Sequence, residues 1–360
     1  MITDTLERIG WNADRIAEFS RIVAEKKVSE EERRGFLPGR VIGVHHDFFE
    51  TQISGRTLLC TPSGRFRQSA EQWPVVGDWV VITPLDEENG VINDLLERRS
   101  VLTRLHSGGV TAGQAIAANV DYIFIVSGLD RDFNLRRIER YLTLAWNSGA
   151  IPVLILNKAD LAEDPDTYLD QVREAAPGNE LFLTSALNGE GIEGIRRCLQ
   201  PTYTGLLVGS SGSGKSTLTN RLLDREVQKV SEVREGDQRG RHTTTTRTLF
   251  VLPGGGALID TPGLREVGLW GDGSGVDESF GEIAALAATC RFSDCSHQHE
   301  PGCAVLAAVN AGEITRERYE AYMKQRREME FLADKQEALK RKEEWHKQIS
   351  KEIRRYYKKR

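Results

Sequence analysis

Residues Thr204–Thr217 read TGLLVGSSGSGKST, an apolar run that breaks into a glycine and serine loop and then into the helical pattern STLTNRLL. The loop Gly209, Ser210, Ser211, Gly212, Ser213, Gly214, Lys215, Ser216 fits G-x4-G-K-[ST], with Thr217 next in line. A strand before it and a helix after it are the context such a loop needs. The glycines let backbone N–H groups turn inward around phosphates, and the helix N-terminus adds positive potential. Lys215 is then expected to reach the β and γ phosphates, with Ser216 on magnesium.

Working outward, apolar runs VDYIFIVSG, AIPVLILNK, LFLTSA and TGLLVGS alternate with helical patterns from Asn119 onward, and GALIDTPG follows a polar loop. That alternation predicts a mainly parallel sheet covered by helices, with ligands at the carboxyl ends of its strands. The chemistry-bearing residues sit at those ends. Asn157-Lys158-Ala159-Asp160 closes one strand, and a carboxylate there can accept both the N1–H and the 2-amino group of guanine. Ser185-Ala186, followed by Leu187, closes the next and resembles the short loop that backs guanine in GTPases. Asp260-Thr-Pro-Gly263 ends the last strand, placing Asp260 to hold magnesium and the Gly263 N–H to meet a γ-phosphate. Asp260 is followed by Thr261 rather than Glu, which disfavours the usual ATPase arrangement.

Upstream, residues 1–36 read as one amphipathic helix, with Leu6, Ile9, Ile16, Phe19, Ile22 and Val23 at helical spacing, then a charged connector. Residues 37–105 change to short β-like runs, RVIGVHH, RTLLCTP, DWVVITP and GVIND, consistent with a small β-barrel of the OB type or an SH3-like one. Residues 106–268 would form the nucleotide domain and residues 269–360 a helical, polar domain. The last contains Cys290, Cys295, His297 and Cys303, and Cys3His is a common tetrahedral zinc set. His299 competes as the imidazole and ranks below His297. Cys60 and Cys198 read as core residues.

The chain has 360 residues, 39% hydrophobic and 28% charged, which excludes a disordered or fibrous protein. Five cysteines are too few for a disulfide framework. The longest apolar stretches, such as Tyr122–Val126 and Ile151–Leu156, are far too short to span a bilayer, and MITDTLERIGWNADRIAEF lacks the apolar core of a secretion signal. A cytoplasmic protein without a membrane partner is expected. The net charge of −5 conceals an asymmetry: Arg316–Arg360 holds 16 Lys and Arg against 9 Asp and Glu, leaving −12 for residues 1–315. A basic, long helical tail on an acidic body admits either a solvated face or an RNA contact.

The motif order is NKAD, SAL, P-loop, the threonine-rich GRHTTTTR and then DTPG, a circular permutation of the usual GTPase order. With the barrel before and the Cys/His cluster after, the chain resembles the RsgA (YjeQ) family of small-ribosomal-subunit-dependent GTPases over roughly residues 37–320. The resemblance implies a multidomain α/β protein: an N-terminal OB-like barrel, a circularly permuted P-loop GTPase domain and a C-terminal zinc-binding helical domain. It further implies GTP/GDP and magnesium as ligands, one structural zinc on Cys290, Cys295, His297 and Cys303, and a monomer partnered by the small ribosomal subunit and its ribosomal RNA. Other subunit maturation factors would be further partners. Thr244 or Thr245 is expected to complete the magnesium shell in the GTP state. Leu264 stands where many GTPases carry a water-orienting Gln, so His242, at the family's G-x-H-T-T position, becomes the candidate to orient the attacking water. The alternative for His242 is an RNA contact or a solvated side chain. Gly212 occupies the place of the Asn of potassium-dependent GTPases, so no potassium requirement is expected. Two other readings stay open on the residues alone: an RNA-binding scaffold with structural nucleotide, and a P-loop ATPase or kinase.

Overall fold

The computed structural model describes residues 5–26, 28–46, 48–69, 72–105, 113–227, 247–261 and 273–358. The chain forms two compact units. One comprises Met1–Leu102 with Ala115–Glu266, the other Thr103–Gln114 with Val267–Arg360.

The first unit opens its sheet with β1 (Leu37–Val44), β2 (Phe49–Ile53), β3 (Arg56–Pro62), β4 (Trp79–Pro84) and β5 (Asn89–Leu95). β1 runs antiparallel to both β2 and β4, β3 runs parallel to β5, and β5 runs antiparallel to β4. The circuit β1-β2-β3-β5-β4-β1 closes a five-stranded barrel of the OB kind rather than the SH3-like alternative. Alternate side chains point inward, so that Val41, Phe49, Ile53, Leu58, Cys60, Val80, Ile82 and Ile92 fill it. β6 (Val101–Leu105) and β7 (Gly113–Ala118) then pair as a separate two-stranded sheet.

The nucleotide-domain strands are β8 (Tyr122–Gly128), β9 (Ile151–Asn157), β10 (Glu180–Leu183), β11 (Thr204–Val208), β12 (Thr248–Val251) and β13 (Ala257–Asp260). They lie in the order β10-β9-β8-β11-β13-β12, all parallel except β12. Chain order reverses between β8 and β11, and in open α/β sheets ligands bind at the strand ends beside such a reversal. β12 also pairs with β1 through Gly43 and Thr248, so barrel and nucleotide domain share one continuous sheet of 11 strands. The short polar-flanked runs TLFV and FETQI, which became β12 and β2, carry too weak an alternation to stand out in the sequence.

The N-terminal region is not one helix. It breaks into Thr5–Arg8, Ala13–Glu25 and Glu30–Arg34. Gly10 sits at φ 105°, where a Cβ would meet the Thr202 carbonyl oxygen at 2.9 Å, and the Asn12 side chain caps the second helix by accepting from the Arg15 N–H. The Arg8 carbonyl accepts from the Thr202 and Gly256 N–H groups, and its guanidinium donates to Leu252 and Pro253. The segment is thereby seated on the turn between β12 and β13.

Between these parts lies Arg40, 1% exposed, stacked over the Trp79 ring at 5.0 Å. Its guanidinium donates to the carbonyls of Ile9, Gly77 and Asn119 and to the Thr204 hydroxyl. Asn119 itself holds a left-handed backbone (φ 54°), accepts from Arg15 Nη2 at 2.6 Å and donates to the Gly77 carbonyl. Burial pulls the Arg40 pKa down to about 10, against the pull of Asp121, so the side chain stays charged at neutral pH.

The second unit contains helices Ser274–Ser279, Gly281–Ala287, Ala304–Ala311 and the 43-residue Arg316–Lys358. Phe280, Ile283, Val305 and Tyr322 form its core together with Cys295 and Cys303. Arg318 lies 4.1 Å over the Phe280 ring and pairs with Glu282 at 2.7 Å. No helix among the described residues is long and apolar enough to cross a membrane.

Replacing Arg40 by Leu nearly keeps the volume but leaves the Ile9 and Asn119 carbonyls without the guanidinium and the Gly77 carbonyl with Asn119 Nδ2 alone. A loss of about 3–5 kcal/mol is expected, read as a lower denaturant midpoint of the first unit. Arg40→Lys should recover only part of it, because a point-like ammonium cannot span the same acceptors.

Candidate nucleotide site and metal centre

The phosphate loop leaves β11 at its carboxyl end, and Gly209, Gly212 and Gly214 all adopt positive φ. Two of these glycines are demanded by close approach. A Cβ at Gly209 would meet the Val126 carbonyl at 2.2 Å, and one at Gly214 would meet Asn157 Nδ2 at 2.1 Å. Lys215 Nζ donates to the Gly209 and Ser210 carbonyls at 2.9 and 2.5 Å, so the loop carries its ammonium at its own centre. The buried Ser213 hydroxyl donates back to the Ser210 carbonyl. Ser216 and Thr217 continue into the helix Lys215–Leu223.

Asn157 is the hub of the base-recognition side, 2% exposed. Its amide nitrogen donates to the Ser213 carbonyl at 3.0 Å, and its amide oxygen accepts from the Thr184 hydroxyl and the Ala186 N–H at 3.1 and 3.0 Å. One side chain thus fastens the NKAD turn, the SAL loop and the phosphate loop together. Lys158 takes the left-handed conformation (φ 64°), and the Ala159 N–H donates to the Thr184 carbonyl. Asp160 is exposed and accepts from the Ser185 hydroxyl at 2.5 Å, which fixes the carboxylate that would face a guanine edge. Arg221, from the helix after the phosphate loop, donates to the Ala186 and Leu187 carbonyls and so supports the SAL loop from below.

Asp260 ends β13 and is 6% exposed. Burial raises its pKa, and the charge of Lys215 works against that rise. A desolvated carboxylate that feels the charge of the phosphate-loop lysine could take a magnesium ion, with Ser216 as the second candidate oxygen. The Thr261 hydroxyl donates to the Leu207 carbonyl, tying β13 to the phosphate-loop strand. His242, Thr244, Thr245, Gly263 and Leu264 lie outside the described residues.

Sequence reasoning missed Asp130, Asp132, Thr184 and Arg221, which bond to motif residues, and Arg137, which holds Asp132. The first two had a signal: two acids in Gly128-Leu-Asp-Arg-Asp132, at the carboxyl end of β8 beside the reversal of strand order.

In the second unit the ligand atoms of Cys290, Cys295, His297 and Cys303 lie within 4.8 Å of one another. Zn–S and Zn–N bonds of about 2.3 and 2.0 Å in a tetrahedron give edges of about 3.8 Å between sulfurs and about 3.5 Å between sulfur and nitrogen. The Cys290 and Cys303 sulfurs are 3.9 Å apart and stand 3.6 and 3.5 Å from His297 Nδ1, so the donor set fits zinc. N–H groups of Ala304 and Leu306, at the start of a helix, donate to the Cys290 and Cys303 sulfurs, which favours thiolates. Burial lowers the His297 pKa and keeps the imidazole neutral and ready to ligate. The Tyr319 hydroxyl holds the His297 carbonyl at 2.7 Å. His299 is not among the four. Cys60 is fully buried, but Cys198 is only partly so and faces Glu180 at 3.7 Å, because it stands at the open end of a short helix.

Two outcomes follow from these contacts. Asn157→Ala orphans the Thr184 hydroxyl, the Ala186 N–H and the Ser213 carbonyl together, and GDP affinity should fall at least about tenfold in a fluorescence titration. Chelation, or Cys303→Ser, should remove one zinc per chain by elemental analysis and lose the near-ultraviolet signal of the second unit's core, since two ligands are core residues.

Comparison with known proteins agrees with this geometry. The family model described as RsgA GTPase matches residues 95–270, the RsgA N-terminal domain matches residues 38–92, and a model described as 50S ribosome-binding GTPase matches residues 204–349. A relative from Methanosarcina acetivorans, called small ribosomal subunit biogenesis GTPase RsgA, is 42% identical over 90% of this chain and 88% of its own. One of the same name from Streptomyces avermitilis is 45% identical over 91% of this chain and 87% of its own. The crystal structure of YjeQ from Thermotoga maritima superposes with a TM-score of 0.63 at 30% identity, covering 82% of this chain and 98% of that one. YloQ, described as a circularly permuted GTPase, shares the fold with a TM-score of 0.61 at 23% identity, over 84% of this chain and 98% of its own. With identity this high over nine-tenths of the chain, and with both its barrel and its permuted nucleotide domain matched, the chain belongs to the RsgA family of GTPases.

Proposed function

We propose that this GTPase hydrolyses GTP to GDP and phosphate on the small ribosomal subunit during its late maturation, with GTP favouring docking and hydrolysis favouring release. The observation that carries the guanine choice is the Asn157 knot, which sets the Asp160 carboxylate and the Ser185 loop at a fixed reach from the phosphate loop. Adenine presents no pair of donors to that carboxylate. Phosphates would lie along the Gly209–Lys215 loop, with Ser216 and Asp260 holding magnesium and Thr244 or Thr245 joining in the GTP state. Magnesium supplies charge neutralisation for the leaving diphosphate. Gly263 would meet the γ-phosphate.

Because Leu264 has no hydrogen-bonding side chain, His242 is proposed to orient the attacking water once the partner is bound. Turnover of the free protein should therefore be slow. The permutation supplies a mechanical link along the chain: β13 ends at Asp260 and the second unit starts at Val267. Loss of the γ-phosphate at Gly263 can then be passed to the zinc-bearing unit and its helix Arg316–Lys358, whose basic charge suits ribosomal RNA. Such a protein works in the cytoplasm as a monomer, alongside other subunit maturation factors.

Phosphate release from GTP and from ATP, with and without purified small subunits at fixed moderate salt, tests the reading. GTP turnover should rise strongly with subunits while ATP stays inert; unchanged turnover would remove the ribosomal activation. Asp160→Asn should move base preference from guanine to xanthine, whose C2 carries an oxygen instead of an amino group. His242→Ala should lose the stimulated rate while GDP affinity holds, and full stimulated turnover would exclude His242 as the water-orienting residue.

A further inference from the structure

The loop between β8 and the helix Leu135–Ser148 joins both halves of the nucleotide site through two carboxylates that the GTPase motifs do not include. Asp130 receives Lys158 Nζ at 2.6 Å and also accepts from the Asp132 N–H at 3.0 Å. Asp132 accepts from the Ser210 hydroxyl, the second residue of the phosphate loop, and is itself gripped by Arg137 Nη1 on both oxygens at 2.8 and 2.7 Å. The Leu129 N–H donates to the Asn157 carbonyl, which locks this loop to the NKAD turn through the backbone as well. The reason for the meeting is topological. β8 lies between β9, which delivers NKAD, and β11, which delivers the phosphate loop.

From this arrangement we infer that Asp130 and Asp132 are positioning residues for the GTP reaction: Asp132 sets the phosphate loop through Ser210, and Asp130 sets Lys158 at the base. The two carboxylates act on different ends of the nucleotide. Ser210 lies where the phosphate loop begins, and its carbonyl is one of the two that hold the Lys215 ammonium. A turned Ser210 peptide moves that ammonium and the N–H groups after it, which wrap the β-phosphate. The cost falls on ligands that have a β-phosphate. Lys158 stands in the NKAD turn, so its amine and stem bear on the base and ribose, which every guanine nucleotide has. Partial burial alone would raise the Asp130 pKa, but the Lys158 hydrogen bond and the Asp132 N–H outweigh it, and the carboxylate stays ionised at neutral pH.

The inference rests on the guanine-nucleotide reading of the site. Its test is the affinity of the full-length protein for GDP and for GMP, measured by displacement of a fluorescent GDP analogue, with thermal melting as the check on folding. Asp132→Ala and Ser210→Ala should each weaken GDP by about five- to twentyfold, the range for a charge-assisted hydrogen bond discounted for partial exposure, and leave GMP unmoved. The double variant should be no worse than the weaker single one, as expected for two ends of one bond. Asp132→Asn keeps an oxygen for Ser210 and should restore most of the GDP affinity. Asp130→Ala should weaken GDP and GMP by the same factor. Equal loss of GMP and GDP in the Asp132 variant, additive losses in the double variant, or folded variants that bind GDP as the wild type does would each overturn the assignment. Should Asp132→Ala fail to fold, Ser210→Ala removes the same bond from the other side. A wild type that does not bind GDP would instead bring down the nucleotide reading itself.

Discussion

Arg40 brings a positive charge into the interior, and it can remain there only because oxygens from four separate stretches of chain, in three parts of the molecule, converge on it. The Ile9 carbonyl comes from the N-terminal segment, the Gly77 carbonyl from the barrel, and the Asn119 carbonyl and Thr204 hydroxyl from the nucleotide domain. Without the guanidinium the Ile9 and Asn119 carbonyls lose their side-chain donor and the Gly77 carbonyl keeps only Asn119 Nδ2, and without these oxygens the guanidinium would be desolvated with nothing to offset it. The requirement is mutual, which makes the joint stiff. Thr204 opens β11, the strand that ends in the phosphate loop, so the stiffness extends from the barrel to the catalytic end of the sheet.

The same economy governs the nucleotide site. Asn157 sits where it does because Gly214 has no side chain to exclude it, and in turn its amide closes the phosphate loop and the SAL loop in one set of bonds. The residues that touch nucleotide in the proposed function are therefore held by residues that do not, among them Thr184, Arg221, Asp130 and Asp132. Parallel strands deliver all of these loops to one edge. Neighbouring strands are about 4.8 Å apart, so turns from adjacent strands meet without any further design.

Permutation changes which strand the chain leaves by. In this order the chain enters the nucleotide domain through β8 and departs after β13, whose terminal Asp260 is the magnesium candidate, toward a unit organised by a Cys3His cluster. Core residues of that unit and metal ligands are partly the same residues, Cys295 and Cys303. The unit is small, and a metal held by these four side chains would offset the limited apolar area it can bury.

Much of this was legible in the amino-acid sequence because the chemistry leaves little freedom in residue type. A loop that wraps phosphates needs glycines at positive φ followed by a lysine, zinc needs sulfur and imidazole within a short span, and a guanine-reading turn needs its Asn and Asp at fixed spacing. The sequence alone therefore determined the fold class, the motif residues and the permuted order. It could not show that TLFV joins β1 and welds two domains into one sheet, that Gly10 breaks the first helix against the Thr202 carbonyl, or that Ser210 meets Asp132. Those contacts link positions far apart in the chain, and a short strand, a lone glycine or a lone acid has no pattern around it to announce its partner. Only the tertiary structure decides them, because hydrogen bonds and close approaches depend on where the folded backbone brings two groups, and that distance is not written in either residue.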